Sequence, residues 1–131
     1  MSGYGVIPSV RVADLGAALA FYRDTLGFDV DRGDETDANV SLQRGDARLM
    51  LETAADHYGD AYNAEIRGRL GVKSPHALYI EADDLDELYA HVQTNGGRVV
   101  DPLGERAWGQ SEFTVEDGEG TWLTFWRASP G

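Results

Sequence analysis

Short runs in which apolar and polar residues alternate are interrupted twice by apolar residues at helical spacing, and this change of period predicts the elements of the chain. Val6–Val12 reads as a strand, with Pro8 marking a strand start or an edge because proline has no N–H for a ladder. Asp14 is a good helix N-cap, Leu15, Leu19, Tyr22 and Leu26 form the buried stripe of the helix that follows, and Gly27 ends it. Phe28–Asp31 is a short strand followed by a charged loop running to Asp37. Asn39–Gln43 and Arg48–Thr53 form a hairpin around Arg44-Gly45-Asp46. Ala54–Pro75 has no clean period, which predicts a functional loop or a mobile segment. Ala77–Ala82 is a strand, and Asp84 caps a second helix with Leu85, Leu88, Tyr89 and Val92 on its inner stripe, ending at Asn95-Gly96-Gly97. Arg98–Asp101 is another strand. Glu112–Glu116 and Trp122–Trp126 form a closing hairpin, with Asp117-Gly118-Glu119-Gly120 supplying two glycines for the reversal.

The order is β-α-β-β-β, a loop, then β-α-β-β-β again. The halves align: an offset of 70 places Val10 on Ile80, Asp14 on Asp84, Gly27 on Gly97 and Val30 on Val100. Towards the ends of the halves the offset drifts to 73, pairing Leu49 with Trp122. A duplication of this kind predicts an α+β fold: two βαβββ repeats whose curved sheets surround a concave cavity, with the helices outside. The expected organisation is a single domain, residues 1–131, with repeat 1 over 6–53, a linker loop over 54–75 and repeat 2 over 76–127.

Composition narrows the partners. The 131 residues carry a formal net charge of −12, which argues against nucleic acid and favours cationic ligands over anionic ones. Cysteine is absent, so the chain has no disulfides and no thiol nucleophile. No apolar run approaches the ~20 residues of a membrane span and no signal-peptide pattern opens the chain, so the expected location is cytoplasmic, away from membranes. The closing hairpin stands out. One of its faces carries Phe113, Val115, Leu123 and Phe125, an ordinary core. The other carries Glu112, Thr114, Glu116, Trp122, Thr124 and Trp126, where indoles share a surface with carboxylates.

The duplicated βαβββ pattern over Val6–Arg127 resembles the vicinal oxygen chelate superfamily, which includes glyoxalase I, extradiol dioxygenases and the fosfomycin and bleomycin resistance proteins. Pro8, Phe21-Tyr22 with Leu26-Gly27-Phe28, the run Leu85-Asp86-Glu87-Leu88-Tyr89-Ala90, and Trp108-Gly109 followed by Glu112-Phe113 and Asp117…Gly120 most resemble the bleomycin resistance proteins. Enzymes of the superfamily place a metal in the concavity with a His or Glu from each of four strands. The resemblance puts those positions on Ile7, Leu51, Ala77 and Thr124, none of them a ligand for a divalent cation. His76, one residue from its expected place, points to the opposite face by strand alternation. No metal or other cofactor is therefore expected. No Ser–His–Asp arrangement or phosphate-binding glycine loop is present either.

Alternation then sends Ser9, Asn39, Ser41, Leu51, Tyr79, Glu81, Glu112, Thr124, Trp122 and Trp126 into the concavity, with Trp108 at its entrance. Aromatic plates, carboxylates and a few hydroxyls suit a flat, cationic, drug-sized ligand. The expectation is a non-catalytic protein that sequesters an aromatic, cationic antibiotic and confers resistance, the ligand being bleomycin-like or another bulky planar product such as a mitomycin or an enediyne. The resemblance further implies a homodimer that exchanges its first strand. The alternative is a superfamily enzyme acting on a small metabolite, with metal on unexpected ligands or with Glu81 or Glu112 as general base.

Overall fold

The computed structural model describes residues 6–53, 60–69 and 76–130. Each half of the chain folds as expected into a helix against one four-stranded sheet. In the first half these elements are β1 (Ser9–Val12), α1 (Leu15–Ala20, continued by a π-helical turn over Phe21–Thr25), β2 (Asp29–Arg32), β3 (Asn39–Arg44) and β4 (Ala47–Thr53). The helix α2 (Asp60–Arg69) comes next. The second half contains β5 (Ala77–Glu81), α3 (Leu85–Thr94), β6 (Arg98–Arg106), β7 (Gln110–Glu116) and β8 (Trp122–Ala128). The strand orders are β1-β4-β3-β2 and β5-β8-β7-β6, with β1 and β5 running parallel to their neighbours. The two sheets are thus topological copies of one another.

The helix signals work as local chemistry requires at one helix and not at the other. Asp14 accepts the Ala17 N–H at 3.0 Å, capping α1, and Leu15, Leu19, Tyr22 and Leu26 are buried along its stripe. Gly27 ends the helical segment with φ +77°, a left-handed conformation that glycine adopts without penalty. Asp84 occupies the equivalent place before α3 but makes no side-chain cap. Its carboxylate is instead bound by Arg44 from the β3–β4 turn, Nη2 lying 3.0 and 2.8 Å from the two oxygens. The guanidinium gains a charge-assisted partner, and the capping bond is given up for it.

Three elements depart from the expected bounds by more than two residues. Strand β1 starts at Ser9 rather than Val6; Pro8 contributes its carbonyl, which accepts from Met50 N at 2.9 Å. Strand β6 continues well past Asp101 to Arg106, through Pro102. Its register against β7 shifts twice, and as the edge of its sheet it tolerates a residue without an N–H. The expected linker loop contains α2, while 54–59 and 70–75 lie outside the described residues. Sequence periodicity misses α2 because the helix has no apolar stripe. The Tyr62 hydroxyl bonds to Arg11 of β1, and the Arg11 guanidinium lies 5.4 Å from the Tyr62 ring centroid.

The pairing registers revise the phase of β4. Cross-strand partners share a face. Val10 and Val40 sit opposite Leu51, and Leu42 sits opposite Leu49, all in the buried core. Leu51 is therefore a core residue packed on the helix side, not a residue of the concave face. The cause is turn length. Arg44 and Ala47 pair across Gly45-Asp46, whereas Asp117 N–H bonds Thr121 O across Gly118-Glu119-Gly120. The second turn is one residue longer. Ser41 corresponds to Thr114, 73 positions on, but beyond the turn Met50 corresponds to Thr124, 74 positions on. Carrying the shorter offset across the turn slips the register by one and moves every side chain of β4 to the wrong face.

The second turn is also where the halves meet. Asp117, itself buried, accepts the N–H groups of Glu119 and Thr121 on Oδ1 at 2.9 and 2.8 Å. Its Oδ2 accepts the Tyr22 hydroxyl of α1 at 2.7 Å. Burial first, and then the adjacent Asp117 carboxylate, push the Tyr22 phenol well above its ordinary pKa. The folded chain keeps this proton after the unfolded chain has lost it. Its stabilisation is complete below about pH 10 and falls away as pH rises from there through the folded value. Tyr22→Phe is expected to cost about 1.5–3 kcal/mol at neutral pH, the worth of a hydrogen bond to a charged group. It should also flatten the loss of stability above about pH 10, as read by denaturant titrations across that range.

Candidate functional site

The face of the second sheet that carries no core residues is an ordered grid. Strand pairing puts Ala77, Trp122, Glu116 and Arg98 in one row. Tyr79, Thr124, Thr114 and Asp101 form the next, and Glu81, Trp126, Glu112 and Gly104 the third. Phe113, Phe125, Leu123 and Val115, one residue out of phase, point the other way and are fully buried. The alternation that makes the core therefore also makes this face.

Its floor is buried and its aromatic rings are open. Thr114 and Thr124 share a hydrogen bond of 2.7 Å, and Glu112 and Glu116 are buried. Above them Tyr79 is 61% exposed, Trp122 44% and Trp108 65%, while Trp126 is half-buried. Two carboxylates fix two indoles. Trp108 Nε1 donates to Glu112 at 2.9 Å, joined on the same oxygen by Gln110 Nε2 at 2.9 Å, and Trp122 Nε1 donates to Glu116 at 3.3 Å. With the polar edge of each ring engaged, the hydrophobic face is what remains for a ligand. Arg98 Nη1 approaches Glu116 Oε2 at 3.0 Å from the edge strand.

The corresponding face of the first sheet is polar. Strand register puts Ser9, Met50 and Ser41 in one row, and Arg11, Glu52 and Asn39 in the next. Arg11 pairs with the buried Glu52 at 2.6 Å, Asn39 donates to Glu52 at 2.7 Å, and Arg32 donates to Asn39 and Ser41 at 2.7 and 2.9 Å. Of the residues expected in the concavity, Tyr79, Glu81, Glu112, Thr124, Trp122 and Trp126 are brought together on the second sheet, with Trp108 attached through Glu112. Ser9, Asn39 and Ser41 lie on the first sheet. Leu51 belongs to neither face. Sequence reasoning missed Glu116 as a site residue although alternation placed it there. It had no way to find Arg98, Met50 or Glu52, whose positions follow from registers that a bulge or a turn of unexpected length sets.

One of the four positions that the resemblance assigns to the superfamily's metal ligands is also relocated. Met50, not Leu51, occupies the β4 position, Ala77 faces Trp122 across the β5–β8 pair, and Thr124 is buried against Thr114. Ile7 precedes the first ladder residue and is exposed. A thioether, two hydrocarbon side chains and an engaged hydroxyl do not fit a divalent cation that prefers imidazole and carboxylate. His76 is exposed immediately before β5. Among the described residues no three His, Asp or Glu side chains are grouped to hold a metal ion, and no helix is long and apolar enough to cross a membrane. A cleft of about 520 Å³ opens beside the grid, between Phe21, the end of α3 and the β7–β8 turn, with Arg98 and Glu116 on its wall.

The Glyoxalase/Bleomycin resistance protein/Dioxygenase superfamily profile matches residues 6–125, and the chain belongs to this superfamily. Sequence comparison with curated proteins gives no match. Among solved structures, a bleomycin-binding protein from bleomycin-producing Streptomyces verticillus, complexed with copper(II)-bleomycin, is 26% identical. The alignment covers 100% of this chain and 99% of that one, with a TM-score of 0.63. TioX from Micromonospora sp. ML1 shares the fold at 18% identity and a TM-score of 0.74, over 97% and 98% of the two chains. The fosfomycin resistance protein FosX from Listeria monocytogenes shares it at 11% identity and a TM-score of 0.67, over 96% and 93%.

The β4 register is directly testable. Leu51→Ala should cost about 2–5 kcal/mol of stability by opening a core cavity. Met50→Ala, on the other face and only partly buried, should cost less, about 1 kcal/mol. Chemical denaturation of the two variants checks this, and a larger loss at Met50 would contradict the register.

Proposed function

We propose that this protein is a non-catalytic binding protein that sequesters a planar, cationic, drug-sized natural product of the bleomycin type, or another bulky planar compound such as a mitomycin or an enediyne, and so confers resistance. The observation that carries this reading is the row structure of the second sheet. Exposed indole rings stand beside buried carboxylates to which their N–H groups are already committed, and the exposed Tyr79 phenol belongs to the threonine row between them. Rings held in this way lose little freedom on binding, so more of the stacking energy is kept. Each stacked pair contributes about 0.5–1.5 kcal/mol beyond burial, and a cation over a ring about 0.5–2 kcal/mol. The net charge of −12 adds long-range attraction for a cation. A bleomycin-binding protein matched end to end at 26% identity and solved with copper(II)-bleomycin supports the ligand class.

In this reading the protein works as a cytoplasmic homodimer that exchanges β1. Two features support it: β1 is the edge of its sheet, and Pro8 leads into it. The donor set at the superfamily's metal positions favours retention of the ligand over chemistry upon it.

Titration with copper(II)-bleomycin, mitomycin C and an anthraquinone-fused enediyne, followed by tryptophan fluorescence and calorimetry, should give saturable binding to at least one, at micromolar affinity or better. Trp122→Ala should weaken that binding about tenfold. The ring is 44% exposed and its N–H serves the buried Glu116, so a stability loss of about 1–3 kcal/mol accompanies the change, and the titration is run well below the variant's melting temperature. Absence of saturable binding to all three would overturn the reading.

A further inference from the structure

We infer that Glu116 is the cation-recognising group of this face and that Arg98 is a resident cation that the ligand's charged group replaces. The inference rests on the binding reading above and assigns its charge specificity to a residue pair. Glu116 is buried at the bottom of its row, with a side chain only 8% exposed, and it does two jobs at once. One oxygen holds the Trp122 indole N–H at 3.3 Å, and the other meets Arg98 Nη1 at 3.0 Å. A carboxylate withdrawn from water needs a positive or hydrogen-bonding partner, and removing that partner without replacement is costly. Among the partners of Glu116, Arg98 is loosely placed. The Arg98 side chain is 73% exposed on the edge strand β6, at the first residue of a ladder whose register shifts just beyond Val99. An ion pair with one arm in solvent is weak, on the order of 0–1 kcal/mol. A cation arriving with an aromatic body stacked on Trp122 gains the same carboxylate and adds ring contacts that Arg98 does not make there.

The surroundings allow the exchange. The cleft of about 520 Å³ that Arg98 borders is walled by Glu116, Asp117 and Glu119, so a displaced guanidinium has space and acidic neighbours. Gly118 adds to this room: a side chain there would meet nothing within 4 Å, and its backbone is not in the left-handed region. Glu112 differs from Glu116 in this respect. Trp108 and Gln110 both donate to one of its oxygens, and the residue opposite it on β6 is Gly104, over which the Arg106 guanidinium lies, bonded to Asp101 and the Pro102 carbonyl rather than to Glu112. Glu112 orients a ring; Glu116 orients a ring and selects charge.

The test compares proflavine, a planar cation at neutral pH, with acridone, a neutral tricycle of similar shape, by calorimetric or fluorescence titration. Removing the competitor in Arg98→Ala should tighten proflavine binding about two- to fivefold, the range set by an exposed ion pair, and leave acridone unchanged. Glu116→Gln should weaken proflavine about tenfold while acridone stays within about twofold. The double variant should bind proflavine no more tightly than Glu116→Gln alone. Arg98 is exposed, so its variant remains informative even if Glu116→Gln proves too unstable to titrate. Unchanged or weaker proflavine binding by Arg98→Ala, or an equal response of acridone, overturns the inference. If wild-type protein still binds one of the three drugs, that failure leaves the sequestration reading standing; loss of binding to all three ends both.

Discussion

The carboxylate of Asp117 is the point on which the second half of the molecule depends. It binds two backbone N–H groups of its own turn and the phenol of Tyr22, so it sets the turn's length and anchors it to α1 in the other half. Turn length then fixes the phase of β8 against β7, because the side-chain period of a strand is two. With a three-residue reversal inside the Asp117–Thr121 pair, Leu123 and Phe125 enter the core, and Trp122, Thr124 and Trp126 come to the open face. One residue more or less would exchange the two sets. The core and the candidate site are thus alternate readings of the same strand, and a single buried acid holds both in place. Arg44 and Asp84 make a comparable tie from the other half, from the first turn to the start of α3.

Duplication supplied two equivalent sheets, and they have been put to different use. On the first, charges and amides satisfy one another: Arg11 with Glu52, Asn39 with Glu52, Arg32 with Asn39 and Ser41. On the second, carboxylates bind indole N–H groups and leave ring faces exposed. A face that satisfies its own polar groups gains little from a partner, whereas open rings above acidic groups gain stacking and charge together. At the positions that serve metal chemistry elsewhere in the superfamily, Met50, Ala77 and Thr124 supply no donor set for a divalent ion.

Much of the fold was legible in local pattern. Helical spacing found the stripes of α1 and α3, Asp14 announced the first N-cap, and the repeat predicted two similar sheets. Each failure has a physical cause. Strand β6 runs on past Asp101 because an edge strand can carry Pro102. Helix α2 gives no periodic signal because it has no apolar stripe; Tyr62 meets Arg11 of β1 through its hydroxyl and its ring. Asp84 stands where a cap belongs, but a distant arginine claims its carboxylate.

Sequence alone determined what depends on near neighbours: the period of each segment, the duplication, the acidic charge, and the set of tryptophans and carboxylates on one side of β7 and β8. Tertiary structure decided what depends on register and on partners far away in the chain. It placed Leu51 in the core and Met50 on the open face, because the two hairpin turns differ by one residue. It brought Arg98 to Glu116 across a bulged edge, and Tyr22 to Asp117 between the halves. Alternation says which residues of a strand share a face. Only the hydrogen-bonded ladder says which residues of the next strand join them.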